Sequence, residues 1–283
     1  MTSEQRVLVL AIALLLPWQS SSGQSWRTVE SSRQLSDSAA HHVRVQYGAG
    51  RLEVGGTSAA LLYSMSLRYD ESSATPIHAY DSGSRSLTLG VDAQSPRFSK
   101  NMDEKTKGEM RLSLSRSVPL DLDLDLGATK ATLDLGGLNL SGLRIASGAS
   151  ETLVDFSTPN RGRMHSIDVD VGAASFEARN LANANTSSIR VHGGVGSVEL
   201  DFGGQWSQDV AANVDLSLGK LTLHVPRDVG VRVEIEKFFA AFDQQGLQKR
   251  GDAYYTDNWD QAKYHLRLRA ETTFGGIEFD RAN

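Results

Sequence analysis

The 283 residues contain no cysteine. An exported chain of this composition has no disulfide framework, and a thioether-linked lipid anchor behind its N-terminal apolar run is chemically excluded. The sequence also lacks a basic excess. A formal net charge of −5 argues against nucleic acid, whose phosphates call for a basic face. After the first two dozen residues no run is apolar enough to span a bilayer. No apolar stripe of helical period and useful length occurs there either, which predicts very low helix content.

The single long apolar run lies at the start. Arg6 precedes VLVLAIALLLPW at 7–18, and Ser21, Ser22 and Gly23 supply small residues for a peptidase, so residues 1–23 read as a signal peptide cleaved before Gln24. The run is short for a membrane span; an uncleaved anchor is the alternative, since Glu4 accompanies Arg6. The remainder, about 260 residues, is long enough to be held by core burial and backbone pairing alone.

A short pattern then recurs. Apolar alternation runs into a glycine, and about four residues later a second alternation begins: LDLDLGATKATLDL at 122–135, IASGASETLVDF at 145–156, VDVGAASFEA at 169–178, VHGGVGSVELDF at 191–202 and LSLGKLTLHV at 216–225. The anchoring glycines, Gly127, Gly148, Gly172, Gly194 and Gly219, stand 21, 24, 22 and 25 residues apart. A near-constant period of this size predicts a β-solenoid with rungs of ~22 residues, each turning a corner where a residue without Cβ avoids strain. The expected fold is therefore all-β, a β-helix of stacked short strands, with a β-sandwich as the alternative.

Along the chain, residues 24–40 are polar and serine-rich and read as a flexible lead-in. Residues 41–110 form an N-terminal β subdomain. In it HHVRVQYGAGRLEVGG (41–56) is an early copy of the repeat, and strands at 61–70 and 86–93 flank a loop with Pro76 and Gly83. Residues 94–108 read as a loop. Residues 111–283 carry the repeats and a C-terminal cap, with 265–280 expected as a hairpin-like pair around Gly275 and Gly276.

Chemistry-bearing patterns are few. Gly48-Ala49-Gly50 and Gly194-Val195-Gly196 begin like a dinucleotide loop, but Glu53 and Glu199 replace the third glycine, and both read as corners. No G-x-S-x-G nucleophile elbow occurs. The seven histidines match no spaced metal signature, although His192 and His224 fall at similar repeat phases and could share a face. Asp121, Asp123 and Asp125 share one side of a strand, with Asp168 and Asp170 continuing the habit. Such a column offers oxygen ligands to Ca²⁺, yet strict alternation alone puts carboxylates in water, and a solvated face is expected. Trp206, Tyr254, Tyr255 and Trp259 sit in polar contexts as sugar platforms or, more commonly, as lids on a core. Asn139-Leu140-Ser141 and Asn185-Thr186-Ser187 are glycosylation sequons. No catalytic, cofactor-binding or metal residue is assigned.

GAGRLEVGG followed by LLYSMSLRYDESSATPIHAYDSGSRSLTL resembles the N-terminal region of the bacterial toast-rack family. GVRVEIE together with QKRGDAYYTDNWDQAKYHLRLRAETTFGGIEF is similar to the C-terminal β domain of LiaF-type antibiotic-response proteins, and the middle repeats resemble the adhesin-type β-repeat domains grouped with them. The resemblance implies a right-handed, β-helix-like stack in an envelope or secreted bacterial protein, without catalytic residues. LiaF-type proteins place several transmembrane helices ahead of the β domain, where this sequence shows only the apolar run read as a signal peptide. Where relatives show a glycine-rich turn after VRVEIE, it has Lys237-Phe238-Phe239, which reads as a plug for the stack or a docking patch.

The functional expectation is a non-enzymatic binding, adhesion-like or scaffolding module, exported to the periplasm or beyond, with an envelope protein or glycan as partner and no cofactor. A polysaccharide-active enzyme on a β-helix is the alternative.

Overall fold

The computed structural model describes residues 25–93, 108–243 and 246–282. Residues 1–23, read as a signal peptide, and 94–107, read as a loop, lie outside that set. Among the described residues the chain is β apart from turns and one 3₁₀ turn at Leu181–Ala184.

The centre of the molecule is a stack of parallel strands. In spatial order its levels are β2 (His41–Thr57), β7 (Leu120–Asp134), β8 (Leu140–Ser147) with β9 (Glu151–Asp155), β10 (Ile167–Arg179), β11 (Ser188–Asp201), β12 (Val210–Pro226), β16 (His265–Ala282) and β13 (Gly230–Phe242). Eight levels at the ~4.8 Å inter-strand spacing make a stack roughly 34 Å long.

Each long strand is bent into two arms. In β10 the inward residues are Ile167, Val169 and Val171 before the bend, Phe176 and Ala178 after it. The five-residue step from Val171 to Phe176 breaks the two-residue alternation because residues 172–175 pass round a corner. Both arms thus aim their apolar sides at one interior. Leu122, Leu124 and Leu126 of β7 and Leu221 and Leu223 of β12 are buried to 2% exposure or less. Each such side chain contributes ~1.5–3 kcal/mol by leaving water, and one continuous apolar cluster runs from Val43 to Phe279.

The corners explain the glycines. Gly127, Gly148, Gly172 and Gly194 lie in register along one edge: a Cβ on Gly127 would stand 2.2 Å from the Gly48 carbonyl oxygen, and one on Gly194 would stand 2.8 Å from that of Gly172. Gly219 does not join them. It belongs to a second column two residues on, paired with Gly196 and Gly275. These three have φ of 143°, 152° and 134°, and an added Cβ would come within 1.9 Å of the carbonyl oxygen on the level below. The uneven spacing before Gly219 reflects this change of column.

The return path from second arm to next level forms a third side, held by amides. Asn160 accepts from the Leu140 N–H (2.8 Å) and donates to the carbonyls of Leu140 and Gly162. Asn183 donates to the Phe156 carbonyl and accepts from the Gln205 N–H. Both are nearly fully buried, and their hydrogen bonds offset the desolvation of backbone groups in a segment without a strand ladder.

At the ends the pairing becomes antiparallel. β6 (Glu109–Ser115) extends the second arm of β2 and pairs β3 (Leu61–Asp70), which pairs β1 (Trp26–Gln34). β5 (Ser86–Ala93) extends the first arm of β2 and pairs β4 (Ala74–Asp81). At the far end β15 (Ala253–Tyr255) pairs β13 at Arg232 and Val233, and β14 (Gln248–Arg250) pairs β15.

Three expectations are corrected. Residues 26–34 of the polar lead-in form β1, because an edge strand on β3 needs backbone partners more than apolar side chains; none of its residues is buried. Pro76 lies within β4, an edge strand that pairs only β5, so a missing N–H is tolerated there. Residues 265–280 are not a hairpin. They belong to one bent strand, β16, inserted between β12 and β13, with Gly275 at its corner.

Candidate functional site

The bent edge concentrates the unusual surface chemistry. From β2 to β16 one corner position per level projects outward, and its side chain grows along the stack: Ala49, Ala128, Ala149, Ala173, Val195, Leu218 and Phe274. Val195, Leu218 and Phe274 are mutually in register and are 52%, 48% and 47% exposed, the exposed large apolar side chains among the described residues. They project because both flanking positions are committed. Buried residues such as Leu216 and Leu221 fill the interior, and Gly196, Gly219 and Gly275 take the tight part of the bend.

Beside this ridge, on the first-arm face, runs a row of acids. Asp125, Ala146, Asp170, His192, Asp215, Glu271 and Glu236 stand opposite one another on successive levels. His192 approaches Asp215 at 3.8 Å and Arg269 donates to Glu236 at 2.6 Å. Asp125, Asp170 and Glu271 make no ion pair among the described residues. Asp215, Glu271 and Glu236 are directly opposed like charges, an arrangement that costs stability. A shallow groove of about 650 Å³ follows this row, floored by corner glycines and walled by Asp125, Asp170, His192 and Asp215.

Elsewhere the surface charges balance. One step further from the corner on the same face, Arg44, Asp123, Arg144, Asp168 and Arg190 alternate in sign across the levels. Within this row Arg190 donates to Asp168 at 2.6 Å. On the second-arm face Lys130 pairs with Glu151 at 3.2 Å and Lys220 with Glu278 at 2.8 Å. A groove of about 720 Å³ there is bordered by Arg51, Arg68 and Lys130, with Glu109 and Glu151 among them.

The residues singled out in the sequence are distributed as follows. Asp121 meets His42 at 3.3 Å and Asp123 meets Arg44 at 3.8 Å, while Arg144 and Ala146 separate Asp123 and Asp125 from Asp168 and Asp170. Among the described residues no three histidines or carboxylates are grouped to hold a metal ion. His192 and His224 do not share a face. His192 precedes the corner of β11, and His224 follows that of β12, between Glu199 (3.1 Å) and Asp280 (3.2 Å). Trp206 donates to the Phe202 carbonyl at 3.0 Å and stacks on Tyr264. Tyr254 packs edge-on against Phe242 at 5.1 Å, and both lie against the core; Trp259 lies between Tyr255 and His265. The Gly-x-Gly segments are corners. Lys237, Phe238 and Phe239 lie in β13, but their side chains fall outside the described part.

Sequence reasoning missed the ridge. Val195, Leu218 and Phe274 each stand immediately before a glycine of the second column, Gly196, Gly219 and Gly275, and a repeat anchored on Gly194 and Gly219 together does not align them. The alternation of the first arm (Val214, Leu216) would carry Leu218 inward, and only the phase counted back from the second arm (Leu221, Leu223) marks the position as outward.

Solved structures with similar chain paths include a candidate cell adhesion protein from Clostridium sporogenes, 19% identical with a TM-score of 0.46 over 90% of this chain and 100% of that one. A candidate adhesin from Parabacteroides merdae is 11% identical, with a TM-score of 0.35 over 91% and 97%. Likeness at that level says nothing about what this chain binds. No curated protein matches it, and among the described residues no helix is long and apolar enough to cross a membrane. The family model described as the N-terminal domain of toast_rack, DUF2154, matches residues 20–177, more than half of the sequence, and the chain belongs to that family.

Proposed function

We propose that this chain is an exported, non-enzymatic binding module of the cell envelope that holds its partner along the bent edge of the stack. The observation that carries the reading is the column Val195, Leu218 and Phe274, three half-exposed apolar side chains in register on adjacent levels. Isolated surface leucines are ordinary, whereas a contiguous strip rimmed by polar residues marks a contact surface. The β framework supports the same reading. It repeats equivalent outward positions at ~4.8 Å steps on a rigid support, which suits recognition of an extended partner. Export is inferred from the apolar run at 7–18 followed by small residues at 21–23.

Residues 24–283, purified and mixed with washed envelope fractions, should be retained on sedimentation. The double variant Leu218→Ser/Phe274→Ser should lose most of that retention while melting at an unchanged temperature. Retention equal to that of an unrelated control protein, or unaffected by the double variant, refutes the reading. Turnover of a glycan panel that depends on a single carboxylate would replace it with the enzymatic alternative.

A further inference from the structure

Building on the binding-module reading, we infer that the edge takes a polypeptide segment whose apolar side chains are bordered on one side by lysine or arginine, lying along the ridge with its cations over the acidic row. Three features select this occupant.

The first is size. Three half-exposed side chains on adjacent levels cover far less than the ~800 Å² per partner of a standard protein interface. That area suits a single segment and not the face of a folded domain. The ridge is also graded, from Ala173 to Phe274, so the apolar contact concentrates toward the β16 end, where the levels carry Leu218 and Phe274.

The second is charge asymmetry. The first-arm side of the ridge bears Asp125, Asp170, Asp215, Glu271 and Glu236, countered within the row by His192 and from its flank by Arg269. The second-arm side is balanced, with Lys220 matched by Glu278. A cationic group placed over Asp215 and Glu271 relieves two like charges that face each other directly across neighbouring strands. The partner's cations therefore lie on one side of its apolar stripe.

The third is the exclusion of other occupants by the same charges. A second copy brings the same acids on a chain of net charge −5, and its Lys220 is already paired. An anionic lipid surface is repelled by the acidic row before the ridge can touch it.

The test uses residues 24–283 and fluorescent peptides of roughly 15 residues, the length at which an isolated helix begins to hold. One has a leucine face bordered by lysines, the second has glutamates in place of the lysines, and the third is a scrambled form of the first. Anisotropy titration should show binding of the leucine/lysine peptide alone. Leu218→Ser should weaken it about tenfold, equivalent to about 1.4 kcal/mol. The double variant Asp215→Lys/Glu271→Lys, both at exposed positions, should transfer the preference to the leucine/glutamate peptide. That gain of binding is a readout that misfolding cannot mimic.

Equal binding of the scrambled peptide, indifference to the edge variants, binding only to phosphatidylglycerol vesicles, or a concentration-dependent dimer blocked by Leu218→Ser would each overturn the inference. If envelope retention still depends on Leu218 and Phe274 while the peptides show no preference, the binding-module reading stands and this inference alone fails.

Discussion

The middle of the stack and its two ends obey different rules. From β7 to β12 all neighbours are parallel, and the register runs through with one irregularity, at Leu120/Asp121. Every inward Leu, Val or Phe there is packed from the levels above and below. At the ends the strands turn antiparallel and burial falls away in the outermost of them: β3, β5 and β6 still bury residues such as Tyr63, Leu87 and Met110, whereas β1 and β4 contain no buried residue, and β14 is exposed throughout. Arg68 lies 4.2 Å over the Trp26 ring, Arg33 lies 3.7 Å over Tyr80, and Arg232 donates to the Tyr255 hydroxyl. The middle is stabilised by burial and the ends serve closure, because a stack left open presents unpaired N–H and C=O groups that invite another chain.

The comparison is broken most severely at a corner. Gly219→Ala places a Cβ 1.8 Å from the Gly196 carbonyl oxygen at φ 152°, and is expected to cost more than ~4 kcal/mol and abolish soluble expression. Gly276→Ala, with nothing within 4 Å, should stay within ~0.5 kcal/mol in a urea titration. Equal effects of the two would sink the corner argument. Next comes the core. Leu223→Ala, at a fully buried position, should cost ~2–5 kcal/mol, whereas Val29→Ala in β1 should cost about 1 kcal/mol or less. On the third side Asn183→Ala strands the Phe156 carbonyl and the Gln205 N–H and should cost ~1–3 kcal/mol.

Exchanging residues 246–256 for a short glycine–serine linker removes β14, β15 and the buried Thr256, whose hydroxyl accepts from the Val231 N–H, and should cost ~1–3 kcal/mol. It should also produce concentration-dependent oligomers in light scattering; a strictly monomeric product means that these strands are not the cover. The smallest effect concerns acid. The Ser84 hydroxyl, then the Gly83 N–H, donates to the Asp81 carboxylate and holds its pKa below the ordinary value. A lowered folded-state pKa contributes stability above the unfolded-state value, and that contribution is lost as pH falls through the folded one. The protection factors of amides 82–86, observed exchange referred to the intrinsic rate at each pH, should therefore fall at low pH before those of the middle levels do.

Parallel stacking was legible in the sequence because each level repeats the same demand. Leu122, Leu124 and Leu126 alternate with aspartates for one reason, burial on one side, and Gly127, Gly148, Gly172 and Gly194 recur for one reason, the close approach of the level below. The ends were less legible. β1 and β4 are recognised by their partners β3 and β5, and neither a serine-rich segment nor one containing Pro76 announces such a pairing. The apolar ridge was hidden because its residues carry meaning only in the register between levels. Glu271 and Asp215 become opposed charges only through the insertion of β16, which local patterning does not encode.

That insertion also orders events in time. β12 and β13 follow each other along the chain with Arg227, Asp228 and Val229 between them, yet they are held apart in space by a strand that begins nearly forty residues after β12 ends. A nascent polypeptide emerging residue by residue can lay down the first levels as they appear, but the gap beside β12 stays open until residues 265–282 have been made. The molecule thus behaves as an arch whose keystone is supplied last, and any chain cut short of it is left with an exposed, adhesive flank.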